Sequence, residues 1–318
     1  MTLRLFLVRH GETVDNVAGI YAGVRDSPLT AHGVLQARRF GAHLASRLAV
    51  IGPVRHVFAS DLKRAVETAT AVVDAQAAPA SGNKAGVPSA SSGPSKTDAI
   101  EADLSLEPTA SLKIVQLPEL RERDFGSAEG EKFGVDLALA GAESRQQMGQ
   151  RAERFVEGHL MPQLTVEQAA SGGCIVVVAH GLILASLLRV LLVRYGAREL
   201  ARLAGGKMPG WSNTGYVELV ANIISSAPVT ADDPSGPGST AEVSDERTLT
   251  LVPPPLPANE PPITLSVVGV NVLKHLEGLK KTRGGIGSAQ FDKRQRTMDS
   301  FFGPAAKKAK VEHGSGKA

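Results

Sequence analysis

The chain predicts an α/β fold in three layers, a largely parallel central sheet with helices on both faces. Apolar runs of strand length at 4–8, 54–59 and 174–179 alternate with helical stretches at about 31–48, 61–77 and 182–195. Strands that alternate with helices build parallel sheets. Two of the runs end in the same way, as Arg9-His10-Gly11 and Ala179-His180-Gly181. Charged and imidazole side chains thus stand at the carboxyl ends of buried strands, the edge at which open α/β sheets bind ligands.

The remaining elements follow in order. A strand near 113–117 leads into the charged run Leu120-Arg121-Glu122-Arg123-Asp124-Phe125-Gly126, and a long helix is expected over 142–168. The segments 215–223 and 263–270 read as late strands, a pair at the sheet edge. Two insertions interrupt this plan. Residues 78–111 are rich in Ala, Ser, Gly and Pro, and residues 226–262 in Pro, Ser, Asp and Thr, with Pro253-Pro254-Pro255. Both lack the apolar residues that offset the entropy of ordering, so both are expected to be disordered or loosely ordered. The longest apolar run, Leu182–Val193, contains Ser186 and Arg189 and is too short to span a bilayer, so no membrane association is expected. The chain enters its first strand directly, with no expected cleavable leader. The single cysteine, Cys174, fits a reducing compartment and reads as a small core residue.

The motifs fall into blocks. Arg9-His10-Gly11-x-Thr13-x-x-Asn16 follows the first strand, and Leu29-Thr30-x-x-Gly33-x-x-Gln36-Ala37 opens the first long helix. Ser60-Asp61-Leu62-Lys63-Arg64-Ala65 follows the second strand, the charged run around Glu122 comes next, and His180-Gly181 closes the series. In content and order these blocks resemble the histidine phosphatase superfamily, the phosphoglycerate mutase-like fold, over roughly residues 3–278, which implies one such domain over 1–278. The resemblance implies that His10 attacks a phosphoryl group and carries it as phosphohistidine. It implies that Arg9 and Arg64 clamp the phosphoryl oxygens, that His180 donates to them, and that Glu122 is the acid, with Glu119 as runner-up. Asn16, Gly23 and Gly181 are expected to bind substrate. The chemistry suits these residue types. A neutral imidazole splits one hard step into two, guanidinium forks match phosphoryl oxygens, and a carboxyl group protonates the leaving oxygen. No metal and no cofactor are called for. His32, His43, His56, His159 and His275 are assigned no chemistry.

The connection between Glu122 and His180 is 58 positions long, shorter than in the mutases of the family, and this favours a phosphatase acting on a phosphomonoester. A mutase and a phospho-ligand-binding scaffold remain as alternatives. Asp15, Val24 and Ala128 stand where many family members carry aromatic residues at or behind the pocket mouth, so substrate preference does not carry over.

The tail carries a separate message. Residues 271–318 hold eleven Lys and Arg against four Asp and Glu, a net of +7, whereas the whole chain carries only +3. A flexible basic tail is expected over 279–318. Within it, Gln295-Arg296-Thr297-Met298-Asp299-Ser300-Phe301-Phe302 is similar to the PCNA-interacting peptide, the PIP box. In a 3₁₀ turn Met298 and Phe301 share a face, with Phe302 beside them, while Gln295 docks by hydrogen bonds. The implied partner is the sliding clamp. The bland alternative is an amphipathic turn packed on the protein's own core. Lys307, Lys308 and Lys310 resemble a nuclear localisation signal, implying an import receptor and the nucleus, with the cytoplasm also open. No specific nucleic-acid-binding module is visible.

Overall fold

The computed structural model describes residues 1–77, 112–134, 136–138, 140–203, 209–224, 263–281 and 285–292. The bulk of both insertions lies outside these residues. So do the PIP-box-like stretch 295–302 and the basic run 307–310.

Six strands form one sheet in the order β3-β2-β4-β1-β5-β6. They are β1 (Thr2–Arg9), β2 (Val54–Ser60), β3 (Ile114–Leu117), β4 (Cys174–Ala179), β5 (Tyr216–Ile223) and β6 (Ile263–Val272). β1 to β4 run parallel, while β5 pairs antiparallel with both β1 and β6. The expected late pair is therefore present at the sheet edge. The helices are α1 (Val14–Ala18), α2 (Ala31–Ser46), α3 (Leu48–Ile51), α4 (Lys63–Ala77), α5 (Arg145–Phe155), α6 (Val166–Ser171), α7 (Gly181–Tyr195) and α8 (Ala197–Arg202).

The period-2 alternation of the strands sends side chains to two cores. Phe6 and Val8 of β1 join Val57, Val176 and Val178 under α2 and α4, whose Phe40, Leu44, Ala65, Ala69 and Val72 cover them. Leu5 and Leu7 join Phe58, Ile175 and Val177 under α5 and α7, against Met148, Phe155, Leu184, Leu188 and Leu191. Strands covered on both faces read as continuous apolar runs, and β4 is buried at every position. Burial pushes the Cys174 thiol up to about 12, as suits a core residue.

Two expectations are corrected. The single helix expected over 142–168 is broken. Ser144 caps α5 through a capping box, the helix widens to a π turn over Val156–Leu160, and it tightens to a 3₁₀ turn over Met161–Gln163. Pro162 has no N–H with which to continue the ladder, and Thr165 accepts from the Gln168 N–H to start α6 afresh. Second, the tail expected to be flexible from 279 begins with a docked stretch. The Ala31 N–H, left without an intrahelical partner in the first turn of α2, donates to the Ala289 carbonyl at 3.0 Å, and the Phe291 N–H donates to the Leu29 carbonyl at 3.0 Å. The Lys281 ammonium lies 2.9 Å from the Glu12 carboxylate.

Because four strands are parallel, the segments after β1, β2, β3 and β4 all emerge at one edge. At the opposite edge the chain leaves the described structure after Ala77, the end of α4, and returns ahead of β3. There it also leaves after β5 and returns at β6, where Ile223 pairs with Ile263.

Candidate active site

β1 and β4 are neighbours, and their register pairs Arg9 with Ala179. The residues that follow are therefore side by side, and the His10 N–H donates to the Ala179 carbonyl at 3.0 Å. The His10 and His180 rings sit 5.0 Å apart, both buried. Two His-Gly ends on adjacent, in-register strands thus become one site.

Each ring's tautomer follows from one contact. His10 Nδ1 lies 2.7 Å from the Gly11 carbonyl, which only accepts, so the proton is on Nδ1 and the Nε2 lone pair is free. His180 Nδ1 accepts from Arg64 Nε at 3.1 Å, so its proton is on Nε2. Burial, then Arg64, holds both imidazoles well below 6.5, with Arg9 adding to the effect on His10. Both are neutral near pH 7. His180 Nε2 and Arg9 Nε are buried without a hydrogen-bond partner among the described residues. A buried donor left unsatisfied costs about 1–3 kcal/mol, so two beside a free imidazole lone pair mark a site built to receive acceptor atoms.

Arg64 is placed differently from the bidentate clamp expected for it. Four of its five N–H groups are engaged, by His180 and by the carbonyls of Arg25, Ala22 and Gly23. A guanidinium 1 % exposed must satisfy its donors locally. Burial also lowers it to about 10. In this geometry Arg64 orients His180 and fixes the 22–25 loop, with one N–H left over. Arg9 donates to the Trp211 carbonyl at 2.6 Å.

The Glu122 carboxylate is held by backbone N–H groups. It accepts from the N–H groups of Leu182 (3.1 Å) and Ile183 (3.1 Å) in the first turn of α7, and from Arg123 N–H (2.9 Å). The β4–α7 corner therefore holds Glu122 as well as His180. Gly181 lies between the site groups, since a Cβ there would come within 3.8 Å of Glu122 Oε2 and 4.0 Å of Arg9 Nε. Beside Glu122 opens a cavity of about 410 Å³ lined by Val24, Pro118, Arg121, Asp124 and Glu143. The side chain of Arg121 forks onto both oxygens of Asp61.

Asn16 and Gly23 are near the site in different ways. Asn16 Oδ1 accepts from Asn213 Nδ2 at 3.0 Å, and the same amide reaches the His10 carbonyl at 3.2 Å. The Gly23 N–H is taken by Glu129 at 3.1 Å, and its carbonyl holds Arg64. A Cβ at Gly23 would meet the Arg123 carbonyl at 2.0 Å, so only glycine lets the two loops touch. Asp15 is buried beside Arg25, 3.3 Å away, and Ala128 is buried.

Sequence reasoning missed the 211–214 turn. Thr214 has φ +55°, a strained value for a β-branched residue, and its N–H is shared by the Arg9 (3.0 Å) and His10 (3.2 Å) carbonyls. His275 Nε2 braces its hydroxyl at 2.9 Å. The only signal was a turn composition, Ser212-Asn213-Thr214-Gly215, ahead of β5. The antiparallel pairing of β5 with β1 brings it here.

Comparison with known proteins agrees with this geometry. The family model described as histidine phosphatase superfamily (branch 1) matches residues 5–84 and 99–216. A protein of Schizosaccharomyces pombe named "Probable phosphatase" is 27% identical over 93% of this chain and 78% of its own length. A "Probable phosphoglycerate mutase GpmB" of Yersinia enterocolitica is 31% identical over 60% of this chain and 75% of its own. Among solved structures, "Mycobacterial hydrolase 2" superposes with a TM-score of 0.50 at 20% identity, covering 85% of this chain and 91% of its own. With its family model matched over more than half its length and the family's blocks gathered at one sheet edge, the chain belongs to the histidine phosphatase superfamily.

Proposed function

We propose that this protein is a phosphatase that hydrolyses a phosphomonoester through a phosphohistidine on His10. The observation that carries the reading is the free His10 Nε2 beside two unsatisfied buried donors, His180 Nε2 and Arg9 Nε. In the first step His10 Nε2 bonds to phosphorus. The phosphorus–oxygen ester bond breaks, and the leaving oxygen takes a proton from the Glu122 carboxyl group. His180, Arg9 and the last N–H of Arg64 stabilise the charge on the equatorial oxygens. In the second step water bonds to phosphorus and gives its proton to Glu122, and the phosphorus–nitrogen bond breaks. Phosphate leaves and His10 is again neutral. Asn16 and Gly181 shape the approach.

His10→Ala is expected to release phosphate at less than about a hundredth of the wild-type rate, and acid-free quenching of wild type should trap phosphate on His10. A variant that keeps its rate overturns the nucleophile. Similarity to a phosphoglycerate mutase favours a second reading. Wild type is expected to hydrolyse a small phosphomonoester without 2,3-bisphosphoglycerate. Strict dependence on that primer, with isomerisation as the main product, assigns the mutase instead.

The tail motif supports recruitment to the sliding clamp, with Gln295, Met298, Phe301 and Phe302 as contacts and Lys307, Lys308 and Lys310 as a nuclear address. Aromatic anchors carry most of an interface's energy. A peptide of residues 290–312 should bind the trimeric clamp at about micromolar affinity or better, and replacing Phe301 and Phe302 by Ala should cost at least ~2 kcal/mol. Calorimetry showing no binding removes the partner and weakens the nuclear assignment.

A further inference from the structure

A groove of about 460 Å³ runs between α2 and α4, within the range of roughly 300–1,000 Å³ that ligand pockets occupy. Leu29, Val34, Ala37, Ala71, Ala75 and Phe291 line it. It lies on the far side of α4 from the sheet and is not needed for the chemistry proposed above. We infer that residues 295–302 dock back onto their own chain, with Met298, Phe301 and Phe302 filling this groove.

Three observations point to that occupant. The first is delivery. The stretch 285–292 is pinned to the entrance of α2, where the Phe291 N–H donates to the Leu29 carbonyl and Ala289 accepts from Ala31. Phe291 already forms one wall of the groove, and the Arg38 guanidinium lies 5.9 Å from its ring centre. The chain thus leaves the described structure after Asp292 with the motif only three residues further on. The second is reach. Met298 is seven residues beyond Phe291, a span of up to about 23 Å. The face of α4 from Glu67 to Asp74 is only about 10 Å long. So short a tether raises the effective concentration of the plug to about millimolar, enough to populate a weak contact. The third is charge. Of the three charged residues that line the groove, Glu67 and Asp74, both exposed on α4, outnumber Arg38, which lies over Phe291, and the arriving segment carries Lys293, Arg294 and Arg296 against Asp299.

The inference shares with the clamp reading only the identity of the apolar plug. The same three side chains cannot fill both sites at once, so the free protein keeps its motif covered, and any partner must displace it.

The test uses the full-length protein with p-benzoylphenylalanine at position 301. Irradiation is expected to give crosslinks within one chain to residues 34–38 and 67–75, mapped by mass spectrometry. Ala71→Arg, which fills the groove, should abolish them. Glu67→Lys with Asp74→Lys, on exposed positions that leave the fold intact, should lower their yield about threefold, the worth of two exposed ion pairs. Crosslinks scattered over the surface, found only between two chains, or unmoved by both sets of changes overturn the inference. Adding saturating sliding clamp separates the two readings. If groove crosslinks persist and none forms to the clamp, the clamp assignment fails and the docking stands. If crosslinks form to the clamp and none to the groove in its absence, the docking fails and the clamp assignment stands.

Discussion

The two site imidazoles are held as opposite tautomers, each set by a single neighbour: the Gly11 carbonyl for His10 and the Arg64 guanidinium for His180. One ring thereby offers a lone pair and the other a proton to the same space. Arg9, His10, Glu122 and His180 were legible in the sequence as neighbours because each ends or follows a strand, and parallel strands share an edge. The engagement of four Arg64 N–H groups was not legible, because nothing local says that the carbonyls of Ala22, Gly23 and Arg25 converge on it. The turn carrying Asn213 and Thr214 was equally silent. Its role depends on a pairing between segments some 200 residues apart. Glu122 anchors α7 and is the acid of the proposed mechanism, and one substitution separates the two roles. Glu122→Gln replaces an acceptor oxygen with an NH₂ group facing a backbone N–H, so urea unfolding should show a loss of about 1–3 kcal/mol. Esters with poor leaving groups should slow by about 10²-fold, and activated aryl phosphates far less, because only the former need a proton as the bond breaks. Equal slowing of both would confine Glu122 to holding α7. Glu119, whose Oε2 is buried without a partner among the described residues, would then be the acid to test.

At the scale of elements, the segment that carries Glu122 has little regular structure of its own and is held from outside. Arg151 on α5 donates to the carbonyls of Glu119 (2.8 Å), Arg121 (2.6 Å) and Glu122 (3.3 Å), and forks onto Glu143. The helix thus positions Glu122 through its backbone. Arg151→Ala strands a largely buried Glu143 and frees three carbonyls, so stability should fall by about 3–5 kcal/mol. kcat should fall with it, and Arg151→Lys should restore only part of either, since an ammonium cannot span the fan. A loss below about 1 kcal/mol in urea titrations would show that the fan is not fixed in solution. Periodicity alone located α5 but overran its end. Pro162 and Thr165 were visible, yet apolar spacing continues through them, and the break is decided by backbone groups that periodicity does not see. The late pair β5–β6 was legible, whereas the docked stretch 285–292 was not. It is tied to the start of α2 through backbone hydrogen bonds, which leave no mark in apolar spacing.

For the molecule as a whole, the site leaves a signature in stability. Burial, with neighbouring cations, keeps His10 and His180 well below 6.5, and burial with His43 and Arg39 pushes His275 down to about 4. In the unfolded chain all three take up protons near pH 6.5, but in the native protein only at lower pH. The unfolded state therefore binds more protons in that window, and stability falls as pH drops from about 6.5 toward 4. Urea midpoints should decrease across this range, while His10→Ala should flatten part of the slope. A midpoint that holds steady below pH 6.5 would mean that the rings are not kept neutral. The fold class was legible from strand–helix alternation, and so was the sheet edge at which His10 and His180 meet. The same topology has a consequence on the other side. The first long insertion leaves from the end of α4 and the second from β5, and both rejoin the sheet at the edge where the parallel strands begin, a full strand length from His10. The family model skips residues 85–98, inside the first of them. Chain can be lengthened, shortened or replaced there without moving His10, Glu122 or His180. That edge is a natural splice point, where evolution can try new sequence at little risk and where a reporter domain can be grafted into a working enzyme.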